Sequence, residues 1–202
     1  MLMRTTLVCA LTLVTLTAST ASAQVEVFER GGFSGALGIG VGSGGLSCAP
    51  ACAGNRETAL ALLLRIGGHI SPRLALGIET TLFRAAVSST KPAGRRDLSW
   101  LTLAGAWYPS EGEDYFLKLG LGVGSIRADT EFPGVGPLEL TASDFGASLG
   151  VGRDFRLSER FAVTAFGDIL FTLRSQAALN NANSGAKVSA DLVHVGLALT
   201  IP

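Results

Sequence analysis

Large apolar side chains recur at every second position along most of this chain, the period of a strand whose successive side chains point to opposite faces. In the first segment Phe33, Gly35, Leu37, Ile39 and Val41 oppose Ser34, Ala36, Gly38, Gly40 and Gly42. In the second, Leu60, Leu62, Leu64 and Ile66 oppose Ala59, Ala61, Leu63 and Arg65. The third sets Leu74, Leu76, Ile78, Thr80 and Leu82 against Ala75, Gly77, Glu79 and Thr81. The fourth, near 99–108, sets Leu101, Leu103 and Trp107 against Thr102, Ala104 and Ala106.

Four more segments repeat the pattern. Tyr115, Leu117, Leu119, Leu121 and Val123 oppose Lys118, Gly120, Gly122 and Gly124. Phe145, Leu149 and Val151 oppose Asp144, Ser148, Gly150 and Gly152. Phe161, Val163, Ile169, Phe171 and Leu173 oppose Thr164, Asp168 and Thr172. Val193, Val195, Leu197, Leu199 and Ile201 oppose His194, Gly196, Ala198 and Thr200. Leu63, Phe166 and Leu170 are large residues on the small-residue face. Each segment is about ten residues long, the length of a membrane-crossing strand, and eight is an even number, as single-chain bacterial barrels require. The pattern predicts an all-β, eight-stranded antiparallel up-and-down transmembrane β-barrel.

Connection lengths point the same way. Long connections near 43–57, 85–98, 128–142 and 174–189 alternate with short ones near 67–73, 109–114 and 156–160. Outer-membrane barrels have short periplasmic turns and longer external loops. Aromatic residues favour the membrane–water boundary. Phe33, Trp107, Tyr108, Tyr115, Phe116, Phe155 and Phe161 fall at the periplasmic strand ends, and Phe83, Trp100 and Phe171 at the outer rim.

A soluble lipocalin-like barrel also alternates, with its apolar face inward and a charged face in water. Here the second face is Gly, Ala and Ser, which suits a narrow lumen. The apolar face carries almost no charge within the strands, Arg153 at a strand end excepted. Charged residues make up 16% of the chain, below the usual ~25%, and mean hydropathy is +0.41. Zero formal net charge gives no reason to expect a nucleic-acid partner. Arg4, the apolar run Leu7 to Ala18 and the small residues Ala21-Ser22-Ala23 read as a secretory signal peptide over 1–23, cleaved between Ala23 and Gln24. The barrel domain would occupy 24–202, in the outer membrane of a Gram-negative-type bacterium, as a monomer in contact with outer-membrane lipid.

Arg65, Glu79, Lys118 and Asp168 share the small-residue face as two positive and two negative charges. Unpaired charge in a confined interior is costly, so a neutral ion-pair cluster is expected there, with His194 and Asp144 near its outer side. The chain resembles the small eight-stranded outer-membrane families, OmpA-like and OmpX-like. Barrels of the OmpA-like kind carry a lumenal Arg/Glu/Lys cluster, which Arg65, Glu79 and Lys118 echo. The opening Arg30-Gly31-Gly32-Phe33-Ser34-Gly35-Ala36-Leu37-Gly38-Ile39-Gly40 is similar to the first strand of outer-membrane β-barrel domains. Such proteins usually end in an aromatic residue; this chain departs from them in ending Leu199-Thr200-Ile201-Pro202.

Several motifs point elsewhere and fail on context. Gly40-Val41-Gly42-Ser43-Gly44-Gly45 matches a dinucleotide fingerprint, but Leu46-Ser47-Cys48-Ala49-Pro50 is a poor helix start, and the pyrophosphate site needs a helix N-terminus. Cys48 and Cys52, the cysteines that follow the signal segment, suggest a disulfide in an oxidising compartment; with no His nearby they do not suggest a metal. A lipid A-modifying enzyme would need a nucleophile beside a His and a carboxylate. Of the two histidines, His69 falls in a periplasmic turn. His194 faces the lumen, with Ser189 and Asp191 near the rim. No catalytic set and no cofactor are expected. The leading functional expectation is a structural or surface-interaction barrel, its external ligand held at 43–57, 85–98, 128–142 or 174–189. A small pore, or a carrier of small hydrophobic molecules, is the alternative.

Overall fold

The structure is a computed structural model that describes residues 32–49, 56–87, 94–110, 113–132, 136–180 and 182–201. The signal segment, with Ala23 and Gln24, lies outside them, as does Cys52.

Nine strands follow in order: β1 (Gly32–Ala49), β2 (Glu57–Ser71), β3 (Leu74–Val87), β4 (Gly94–Trp107), β5 (Tyr115–Phe132), β6 (Gly136–Arg156), β7 (Ala162–Thr172), β8 (Ser175–Leu179) and β9 (Ala182–Ile201). Each pairs antiparallel with the next, β7 and β8 excepted. β1 pairs with β9 (Leu37↔Leu199, Val41↔Val195) and closes the ring. β7 also pairs with β9 (Asp168↔His194), so the ring consists of β1 to β7 plus β9, eight strands in up-and-down order. The ninth strand continues the place of β7 beyond a break at Leu173 and Arg174: β8 pairs with β9 on one side and β6 on the other.

Closure satisfies the backbone groups that an open edge would leave unpaired. It also fixes the faces. Leu37 is 66% exposed and Leu103 64%, while their neighbours Ala36 and Thr102 are buried. Every ring strand shows this outward apolar set. Leu63, Phe166 and Leu170, too large for the face they share, are buried inside. The outward apolar face is the reverse of a soluble binding barrel.

Four aromatics expected at the rims lie inside instead. Phe83 and Trp100 are 2% and 1% exposed, and Tyr108 and Phe116 are equally buried. The strand period sends them inward, because Phe83 shares the parity of Glu79 and Trp100 that of Thr102. Glycines supply the room. A Cβ at Gly44 would lie 2.8 Å from the Phe83 ring, and one at Gly124 would lie 2.8 Å from Trp100 Nε1. Phe33, Trp107, Tyr115, Phe155 and Phe161 do face outward at the short-turn end, and Phe171 faces outward toward the other end.

All four long connections are shorter than expected. The stretch 128–142 is mostly strand, with only 133–135 between β5 and β6. The stretch 85–98 narrows to 88–93, and 174–189 is largely the β8–β9 hairpin. In 43–57, β1 runs on to Ala49. Apolar alternation ends where the outward face becomes polar, but backbone pairing continues there because water satisfies the outward side chains. The short turns fall as expected, the tightest being Pro72-Arg73 between β2 and β3.

Candidate functional site

The lumen is filled in layers. Toward the long-hairpin end Phe83, Leu98, Trp100, Ile126, Leu170 and Leu192 form a buried apolar plug, together with Val188 and several alanines. Phe166 and Leu63 form a smaller cluster with Ala36 and Ala198. Tyr108, Phe116 and Ala106 pack near the short turns.

A charged tetrad lies within this packing. Lys118 of β5 has three ammonium hydrogens, and three bonds are made: to Glu79 Oε1 at 2.7 Å, Glu79 Oε2 at 2.8 Å and Asp168 Oδ2 at 2.9 Å. His194 of β9 brings Nε2 to 3.2 Å from Asp168 Oδ2, out of hydrogen-bond alignment, with its ring edge-on to Phe166. The four side chains are at most 2% exposed. They come from β3, β5, β7 and β9, and the Lys118 ammonium on β5 ties together β3 and β7, each two places away in the ring. Gly150 is part of the site, because a Cβ there would fall on Asp168 Oδ1.

Arg65 is on the same face but outside this cluster. It pairs across the ladder with Glu79, yet both Glu79 oxygens are taken by Lys118. The Arg65 guanidinium lies 5.6 Å from the Phe116 ring centroid, and it makes no ion pair among the described residues. Asp144 also stays apart, its Oδ1 accepting from the Phe145 amide at 2.6 Å.

Below the tetrad the lumen opens toward the short turns as a cavity of about 40 Å³, lined among others by Arg65, Lys118, Tyr108, Asp114, Asp154 and Thr200. Tyr108 donates to Asp154 Oδ2 at 3.0 Å, and Thr164 donates to Asp154 Oδ1 at 2.6 Å. The sequence reading missed this polar chain and the apolar plug. Parity would have found both, since Asp154 continues the row of Gly150 and Gly152.

On the outside, the apolar face gives way toward the long-hairpin end to Ser99, Ser125 and Ser143, with Ser125 and Ser143 hydrogen-bonded at 3.0 Å. Beyond them runs a band of ion pairs: Arg84 with Asp97 at 2.9 Å, Arg95 with Asp97 at 3.2 Å and with Asp129 at 2.9 Å, and Arg127 with Glu139 at 3.1 Å. Arg56 pairs with Asp191. At the opposite end Arg153 lies over Tyr115 and Phe155. Cys48 is disulfide-bonded. Among the described residues no group of His, Cys, Asp and Glu could hold a metal ion.

A closed ring of eight strands, apolar outside and packed inside, is the fold of the small outer-membrane β-barrels. Solved structures share it. Neisserial surface protein A is 11% identical with a TM-score of 0.54, covering 84% of this chain and 98% of that one. The outer-membrane protein OprG from Pseudomonas aeruginosa is 13% identical with a TM-score of 0.53, covering 85% and 97%. No protein-family model and no curated protein matches the chain.

Proposed function

We propose that this chain is exported by a signal peptide cleaved between Ala23 and Gln24. It then crosses a bacterial outer membrane as a monomeric, closed scaffold, and its external hairpins meet partners at the surface. The unbroken outward apolar face, from Leu37 on β1 round to Leu199 on β9, carries this reading. A surface of that size is stable against hydrocarbon and would aggregate in water. The aromatic residues at the short-turn end and the ion-pair band at the other match the two boundaries of such a layer, with the short turns periplasmic. Cys52 is proposed as the partner of Cys48.

The packed lumen supports a scaffold over a pore or a carrier. The plug stands across one end, and the cavity at the other holds about three waters. Burial of His194 against Asp168, away from any lipid, supports a non-catalytic role.

The test is to fractionate envelopes and run the protein on a gel with and without boiling. It should sediment with outer membrane and migrate differently when unboiled, and its N-terminus should be Gln24. A soluble periplasmic protein with no shift would refute the reading.

A further inference from the structure

The vestibule below the tetrad carries a feature that a scaffold does not use. We infer that Arg65 makes it a binding site for a small oxyanion, a carboxylate or a phosphate. The reason is a competition between two cations for one carboxylate. Ladder register sets Arg65 opposite Glu79, which would be its natural counter-ion. Lys118 takes both Glu79 oxygens, at 2.7 and 2.8 Å, and Arg65 turns to the face of Phe116. The Arg65 guanidinium, 5.6 Å from that ring's centroid, makes no hydrogen bond among the described residues, and its planar fork of N–H donors matches two oxygens of one oxyanion.

The surroundings fit that ligand. Arg65 lines the ≈40 Å³ cavity whose inner end is Lys118. About three waters fill such a volume, which is close to that of one acetate or phosphate. Asp154 shares the cavity, but both its oxygens are occupied by Tyr108 and Thr164. The lining carries Arg65, Lys118 and Arg156 against Asp114 and Asp154, and low-dielectric walls focus the field of the cation that projects into the space. The inference requires the barrel and not its location, so envelope fractionation and anion binding fail independently.

The test uses the refolded full barrel in detergent, with the arginine Nε–H signals followed by NMR. Sodium phosphate and sodium acetate are titrated against chloride at matched ionic strength. The expected result is a saturating shift of the Arg65 signal, with no comparable shift at Arg160, an exposed arginine at the same end. Saturation by phosphate alone assigns a phosphoryl ligand; saturation by acetate assigns a carboxylate. Arg65→Gln should weaken binding roughly 10- to 100-fold, the worth of one charge-assisted pair. Arg65→Lys keeps the charge without the fork and should also bind more weakly, which covers the case in which the glutamine variant does not fold. A linear, unsaturated shift, equal shifts at Arg65 and Arg160, or undiminished binding in the variants would overturn the inference.

Discussion

Lys118 spends all three ammonium hydrogens on two carboxylates in a site at most 2% exposed. Removing one partner of a buried ion pair leaves an uncompensated charge and costs about 3–5 kcal/mol. Lys118→Met should therefore lower the unfolding free energy of the refolded barrel, read from a urea titration, by an amount in that range. Gly150→Ala should also destabilise, because its methyl would meet Asp168 Oδ1. At Gly105 the nearest obstacle is the Leu76 Cδ2 atom at 3.2 Å, the movable end of a side chain. Gly105→Ala should be nearly neutral in the same unfolding measurement. Alternation put Arg65, Glu79, Lys118, Asp168 and His194 on one face. It could not say which carboxylate would take which cation, because that depends on heights and distances between strands remote in sequence.

The element scale is where the outward face acts. A charge on the lipid side of a strand costs about 2–4 kcal/mol at the midplane and little near the boundary. Leu103→Arg should impair folding into vesicles, whereas Ser99→Arg, two positions along the same face and beside the charged band, should leave the folding yield nearly unchanged. Equal effects would remove the membrane reading of the belt. Strand positions were legible because the 2.0-residue period is a local property. Strand ends were not, since the ladder runs on past the last outward leucine wherever a neighbour continues to pair, as β5 and β6 do to Phe132↔Gly136. The break in β7 and its continuation as β8 depend on β6 and β9 offering edges on both sides.

For the whole molecule the question is what closes the lumen. Two barriers lie in series, the tetrad and the plug of Phe83, Leu98 and Trp100 above it. The wild-type barrel should not conduct in planar bilayers. Lys118→Met should stay silent as well, because the plug is intact in that variant. Conductance in Lys118→Met would make the tetrad the barrier, and a gate would then replace the scaffold as the better reading.

The sequence by itself determined the strand period, the count of ring strands and the polarity of each face, because each is written in neighbouring residues. It also placed the short turns. Tertiary structure alone decided what fills the lumen. Position along the chain suggests boundary aromatics at Phe83 and Trp100, whereas glycines on other strands, Gly44 and Gly124, leave the space that receives them inside. Arg65 and Lys118 looked equivalent along the chain. Only closure of the ring brought Lys118 within reach of Glu79 and Asp168 together, leaving Arg65 facing the vestibule. Local periodicity carries the wall, while the interior depends on contacts between strands far apart in the chain.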